Sequence, residues 1–242
     1  MTNAAYLDQL LLAILPYVAF FTFFLVTIQR YRQQTFTYSS LSSQLLENQQ
    51  HFWSLVPFHY GIIVVLAGHV VAWLLPREIL AWNSQPLRLY VLETAALVFG
   101  LLTLLGLVNL LVRRLSYGKV RAVTSRADWI LYGLLLVQVA SGVYIAVFYP
   151  WGSSWFAAVI SPYLWSLVKM SPDLSAAVAL PPAVKLHIVN AYLLIGFFPF
   201  TRLVHILVVP NPYLWRRTQV VRWYRPRPIV AAESARKEGV WP

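Results

Sequence analysis

Five apolar stretches, near residues 9–28, 54–75, 90–112, 128–149 and 184–208, constrain this chain more than any other feature. Each is close to the roughly 20 residues that a helix needs to cross a bilayer. In hydrocarbon, backbone N–H and C=O groups must be satisfied inside the segment itself, so such runs fold as helices. The chain therefore reads as an all-α integral membrane protein with five transmembrane helices. Composition agrees, since only 11% of the 242 residues are charged, against about 25% in a soluble domain. A sixth candidate, SSWFAAVISPYLWSLV at 153–168, is short and interrupted by Pro162. It is expected to form one or two interfacial helices within the connection 150–183. The first residues, MTNAAYLDQL, lack a basic n-region and hold Asp8, so the first apolar run is expected to stay in the mature chain.

Charge sets the expected orientation. Of nineteen Lys and Arg, five spans place fifteen on one side and only Arg77, Arg88, Lys169 and Lys185 on the other. The positive-inside rule then puts the N-terminus outside and the C-terminus in the cytoplasm. A sixth span would move the C-terminal arginines to the poorly charged side. The expected organisation is a five-helix membrane domain over 1–210 and a basic cytoplasmic tail over 211–242. The tail segment LWRRTQVVRWYRPRPIV mixes Arg with aromatic rings, but topology already accounts for its charge. Membrane lipid and a cytosolic protein are its expected partners, and nucleic acid is not. Arg113 and Arg114, at the end of the third span, likewise read as topological signals.

The chain has no cysteine, which removes disulfides, thiolate-held zinc, iron–sulfur clusters held by this chain and covalent haem attachment. A metal cofactor must then be held by His, Met or carboxylate. Of five histidines, His51 lies among polar residues at an interface and reads as solvated. The second span holds His59 and His69; the fifth holds His187 and His205. An imidazole in lipid is costly unless it is paired, ligated or turned to a protected interior. At about 100° per residue, the eighteen residues from His187 to His205 make five turns and put both on one face. The ten residues from His59 to His69 leave an offset of about 80°, one broad side of the helix. The two spans run antiparallel, so His59 faces His205 toward the inner end and His69 faces His187 toward the outer end. Two stacked imidazole pairs suit two non-covalent, bis-histidine haems. At about 1.5 Å per residue the pairs lie about 15 Å apart in one span and about 27 Å apart in the other. Levelling both pairs requires tilt or a kink at Pro199. Gly61 and Gly68, beside the histidines of the second span, would let a flat macrocycle approach the backbone.

The stretches FHYGIIVVLAGH, RRLSYGKVRAVTSRADW and KLHIVNAYLLIGFFPFTRLVHI, with TYSSLSSQLLENQQ in the first inner loop, carry a family likeness. The chain resembles the gamma subunit of respiratory nitrate reductase, a membrane dihaem cytochrome b, over nearly its whole length. The resemblance implies a haem b held by His59 and His205 near the cytoplasmic face and a second held by His69 and His187 near the outer face. It implies a site for menaquinol or ubiquinol around Gly68 and His69, completed by a basic residue that is usually Lys. Arg88 occupies that place here, with Arg77 the other candidate. Arginine keeps its proton at working pH, so it would stabilise an oxygen rather than act as a base. The resemblance further implies a multi-pass protein of a prokaryotic inner membrane that passes electrons to an iron–sulfur (beta) subunit. That subunit would feed a molybdenum (alpha) subunit, where nitrate is reduced. Arg202, three residues before His205, has two readings: partner of a haem propionate, or a side chain snorkelling to inner headgroups.

Three alternatives stand beside this reading. The same quinol-oxidising cytochrome would serve another oxyanion reductase or a disulfide reductase. A His-lined cation or proton transporter would want acids beside the histidines, and only Glu93 lies near a span interior. A passive anchor would need no buried histidine at all.

Overall fold

The structure, a computed structural model, describes residues 3–34, 37 and 49–207. Over these residues the chain is helical, and five helices are long and apolar enough to cross a membrane: Tyr6–Gln33, Phe52–Leu74, Pro86–Ser116, Arg126–Phe148 and Pro182–Phe200. The expected tail 211–242 and most of TYSSLSSQLLENQQ lie outside the described residues, as does the side chain of His51.

The first span is built from α1 (Asn3–Gln9), a π-helical turn (Leu10–Ile14) and α2 (Leu15–Gln33). The second is α3 (Gln49–Leu74), followed by the short α4 (Pro76–Asn83). The third is α5 (Pro86–Ser116), which begins on a proline at its first turn, where a missing N–H costs nothing. A short α6 (Gly118–Ala122) leads to α7 (Arg126–Phe148), the fourth span. Its start is a capping box: Ser125 Oγ accepts from Asp128 N at 3.1 Å, and Ser125 N donates to Asp128 Oδ2 at 2.9 Å. The expected interfacial segment is one continuous helical run made of α8 (Gly152–Trp155), a π turn (Phe156–Ile160) and α9 (Ser161–Val168). The fifth span starts as α10 (Pro182–Phe197).

The expected fifth span to residue 208 is not one helix. α10 stops at Phe197, and two 3₁₀ segments follow, Phe198–Phe200 and Arg202–Leu207, with an extended Thr201 between them. Pro199 is the cause, because its ring and missing N–H cannot continue an α-helix. The break frees the carbonyls of Pro199 and Thr201, and both accept from Arg30 Nη1 of α2, at 2.5 and 3.1 Å. A five-turn α-helical phase therefore does not relate His187, on α10, to His205, on the second 3₁₀ segment.

The tightest packing joins α3 to α5. On α5 the buried positions Thr103, Gly106, Leu107, Leu110, Arg113 and Arg114 follow the three-and-four spacing of one helical face. Two glycines make the approach possible. A Cβ on Gly61 would lie 2.8 Å from the Phe99 carbonyl oxygen, and one on Gly106 would lie 2.8 Å from Phe58 Cα. Lipid offers helices no hydrophobic incentive to associate, so close backbone approach supplies the attraction through dispersion and packing. This revises the expected role of Gly61, which seats α5 rather than a macrocycle. Gly68 differs: a Cβ there meets nothing within 4 Å.

At the end of the bundle that carries His69, α9 is fastened to the first span. Tyr163 donates to the carbonyl of Leu12, in the π turn, at 2.6 Å, and Tyr192 of α10 donates to Tyr163 at 3.1 Å. Leu12, Ala19, Tyr163, Leu167, Ala177 and Tyr192 form a buried cluster there. Lys185 pairs with Asp8 across the same end at 2.9 Å.

Two outcomes follow from this packing. Gly106→Leu forces α3 and α5 apart and costs about 1–3 kcal/mol through overpacking, read as a lower melting temperature in detergent; Gly68→Leu leaves the melting temperature unchanged. Burial is the main reason that the Tyr163 phenol is pushed up to about 12 from 10.0. Its neutral form stabilises the fold fully below pH 10, and that contribution is lost as pH rises from 10 to 12. A melting series over this range shows a downward slope on the order of 2 kcal/mol from this group, and Tyr163→Phe makes the slope shallower.

Candidate functional site

Polar side chains of the fourth and fifth spans converge on one histidine, His187, and backbone carbonyls hold the other three. α3 carries His59 and His69, and both rings are held by their own helix. His59 Nδ1 lies 2.8 Å from the Leu55 carbonyl oxygen, and His69 Nδ1 lies 2.8 Å from that of Val65. His205 Nδ1 lies 2.5 Å from the Arg202 carbonyl oxygen. A carbonyl only accepts, so in each ring Nδ1 carries the proton and Nε2 is left with its lone pair. This is the arrangement that a metal-ligating histidine needs, with the far nitrogen free and the near one oriented.

The fold brings His69 and His187 together. Their ring centroids lie 6.5 Å apart with planes inclined by 34°. With metal–imidazole bonds of about 2 Å, that spacing accommodates one metal ion between the two rings. Phe156, from the π turn of the 152–168 run, closes one side edge-on to His69 at 5.3 Å. The donor set fits a haem iron held by two imidazoles. Among the described residues there is no group of three or more His, Cys, Asp or Glu that would suit another type of metal centre. His59 has its own aromatic neighbour, Phe58, at 5.4 Å.

His187 is held differently. Its Nδ1 lies 2.9 Å from Ser141 Oγ and its Nε2 lies 3.1 Å from Gln138 Nε2, both on α7. Asn190, one turn beyond His187 and buried, donates to Gln138 Oε1 at 2.7 Å and to the Leu134 carbonyl at 2.9 Å. Gly142 leaves room for the ring, since a Cβ there would lie 3.0 Å from His187 Cε1. Reading the histidines alone misses these residues. Their signal was present: Gln138, Ser141 and Asn190 are polar side chains in apolar spans, and each needs a partner for the same reason as a histidine.

Gly68 and His69 are exposed on the surface of α3. Arg88 is exposed as well, and its guanidinium lies 5.0 Å from the centroid of the Trp82 ring. Arg77 is also exposed. Glu93 accepts from Ser153 N at 2.8 Å and from Ser153 Oγ at 2.6 Å, which fastens the start of the 152–168 run to α5. Trp151, just before that run, has a left-handed backbone (φ 64°) and packs edge-on against Tyr90 at 5.3 Å.

At the opposite end, Arg202 Nη2 donates to Asp128 Oδ2 at 2.7 Å and to the Val123 carbonyl at 2.9 Å. Asp128 thus both completes the capping box with Ser125 and pairs with Arg202, a role that neither sequence reading of Arg202 contained. Arg113 and Arg114 are buried rather than spread among headgroups. Arg114 donates to Tyr132 at 2.8 Å and to Thr124 at 2.7 Å. Both arginines lie within the protein, whatever orientation they signal.

Residues 8–224 match the nitrate reductase gamma subunit family. The chain is 34% identical to the nitrate reductase gamma chain of Bacillus subtilis over 218 residues, 88% of this chain and 97% of that one. It is 34% identical to the respiratory nitrate reductase 2 gamma chain of Escherichia coli over 226 residues, 90% of this chain and 97% of that one. A more partial likeness, 31% over 114 residues, links it to one component of the dihydromethanophenazine:CoB–CoM heterodisulfide reductase of Methanosarcina barkeri, over 47% of this chain and 37% of that one.

Proposed function

This chain belongs to the nitrate reductase gamma subunit family and is a multi-pass protein of the prokaryotic inner membrane, and we propose that it takes electrons from membrane quinol near the outer face and passes them to a cytoplasmic iron–sulfur subunit feeding a molybdenum nitrate reductase. The observation that carries this reading is the His69–His187 pair, two facing imidazoles on different membrane-spanning helices. Two non-covalent b haems, one held by His69 and His187 and the other by His59 and His205, would supply one-electron carriers at two depths.

The chain's own residues divide the remaining work. Backbone carbonyls keep the Nδ1 protons of His59, His69 and His205 in place, so each presents Nε2. Gly68 adds no side chain to the exposed face beside His69, which leaves room for the flat head group of a quinol arriving sideways through the lipid. Arg88 contributes a permanent positive charge that orients an oxygen of the quinol and takes no proton from it. The exposed basic residues Lys119, Arg121 and Arg126 favour docking of a soluble partner on the cytoplasmic side.

The likeness to a heterodisulfide reductase component supports a second reading, in which the same cytochrome serves a disulfide reductase. The near-complete coverage of the nitrate reductase gamma chains favours the first. Nitrate, and no disulfide, should reoxidise the quinol-reduced complex.

A pyridine haemochrome assay on the membrane-extracted chain is expected to give two b haems, falling to one in His69→Ala or His187→Ala. A folded sample without haem overturns the reading. Gly68→Leu should keep both haems and full reduction by dithionite, while kcat/KM for reduction by a quinol analogue falls about tenfold or more.

A further inference from the structure

Among the four intramembrane histidines, His187 alone is oriented by side chains of another helix. The hydrogen bonds around it leave one consistent assignment. Asn190 Nδ2 donates to the Leu134 carbonyl and to Gln138 Oε1. The Gln138 amide oxygen is thereby turned toward Asn190 and its NH₂ toward His187, where it meets Nε2 at 3.1 Å. An NH₂ group has no lone pair to offer, so His187 Nε2 must be the acceptor and Nδ1 must carry the proton. Nδ1–H then donates to Ser141 Oγ at 2.9 Å, and the Ser141 hydroxyl donates onward to the Gln138 carbonyl at 3.1 Å. Each donor finds one acceptor, from a backbone carbonyl of α7 back to another backbone carbonyl of α7.

We propose that Ser141 is the positioning residue for the outer haem ligand, holding the His187 ring through Nδ1 and raising the basicity of the nitrogen that ligates iron, while Asn190 and Gln138 fix the tautomer before the cofactor arrives. The proposal rests on the haem reading above. Its physical basis is that an acceptor on Nδ1–H makes the imidazole a stronger donor, which favours the more highly charged iron and lowers the potential. The other three histidines obtain the same effect from carbonyls of their own elements, where no side-chain substitution removes it. Here a single hydroxyl controls it.

The test compares the purified wild-type protein with Ser141→Ala and Ser141→Thr by redox titration of the haem spectrum and by low-temperature EPR. Ser141→Ala is expected to retain both haems, to shift one midpoint potential upward and one low-spin EPR signal, and to leave the other haem unchanged. Ser141→Thr, which keeps the hydroxyl, restores both readouts. Unchanged potentials and EPR signals in a dihaem Ser141→Ala protein overturn the proposal. A second readout needs no cofactor: ¹⁵N spectra of histidine-labelled apoprotein are expected to show His187 as the Nδ1–H tautomer in wild type and in Ser141→Ala, and a mixture in Asn190→Ala, where Gln138 is free to turn its amide. The proposal also falls if His187 carries its proton on Nε2 in wild type. A wild-type protein without haem but with the Nδ1–H tautomer overturns the haem reading and supports the hydrogen-bond assignment.

Discussion

Every polar group that enters the hydrocarbon region must find its partner inside the protein, and much of this structure answers that demand. Water is absent at that depth, and an unpaired polar group there costs several kcal/mol. Three imidazoles meet the demand within their own elements, and the fourth meets it through a relay of Ser141, Gln138 and Asn190. The break after Phe197 exposes carbonyls that Arg30 covers from the neighbouring span. The buried Arg114 is held by a phenol and a hydroxyl. In the last three cases the partner comes from another element, so satisfying the polar groups also joins the spans.

The run 152–168 shows the same economy at the end that carries His69. Besides the buried cluster at Tyr163 and Leu167, it is fastened by side-chain bonds to other elements. Glu93 holds its first residues, Ser161 donates to the Ala72 carbonyl at 2.9 Å, and Trp165 donates to that of Trp73 at 3.1 Å. Tyr163 reaches the carbonyl of Leu12, at the π turn of the first span. The consequence for the site is positional: with its start and end fixed, the run presents Phe156 to His69 and screens that ring on one side. The other side, at Gly68, stays open.

Much of this was legible residue by residue. Long apolar runs can do little but span, so the five helices follow directly from hydropathy, and the short 153–168 segment was separable from them by length. Histidines in lipid stand out because the cost of leaving one unpaired is large. Charge was less transparent. Arg202 read as a propionate partner or a headgroup anchor, and its partner Asp128 is distant in sequence and comes into reach only when α7 and the chain after α10 meet. Gly61 and Gly68 look alike in the sequence, yet one abuts the backbone of α5 and the other faces open space. The stop at Phe197 was foreshadowed by Pro199 as a kink, but whether a proline bends or ends a helix depends on what receives the freed carbonyls.

The sequence by itself determined the fold class, the number of spans, the shortage of metal ligands other than histidine and which four histidines needed explaining. These follow from transfer free energies and residue chemistry, which belong to each segment separately. Tertiary structure decided which histidines meet, that His69 faces His187 at 6.5 Å, and that Ser141 and Gln138 orient the latter. It also decided which glycine seats a helix and which leaves open space beside a ring. Those outcomes depend on the rotation and depth of one helix against another, set by packing between segments far apart in the chain, and no periodicity within a single span encodes them.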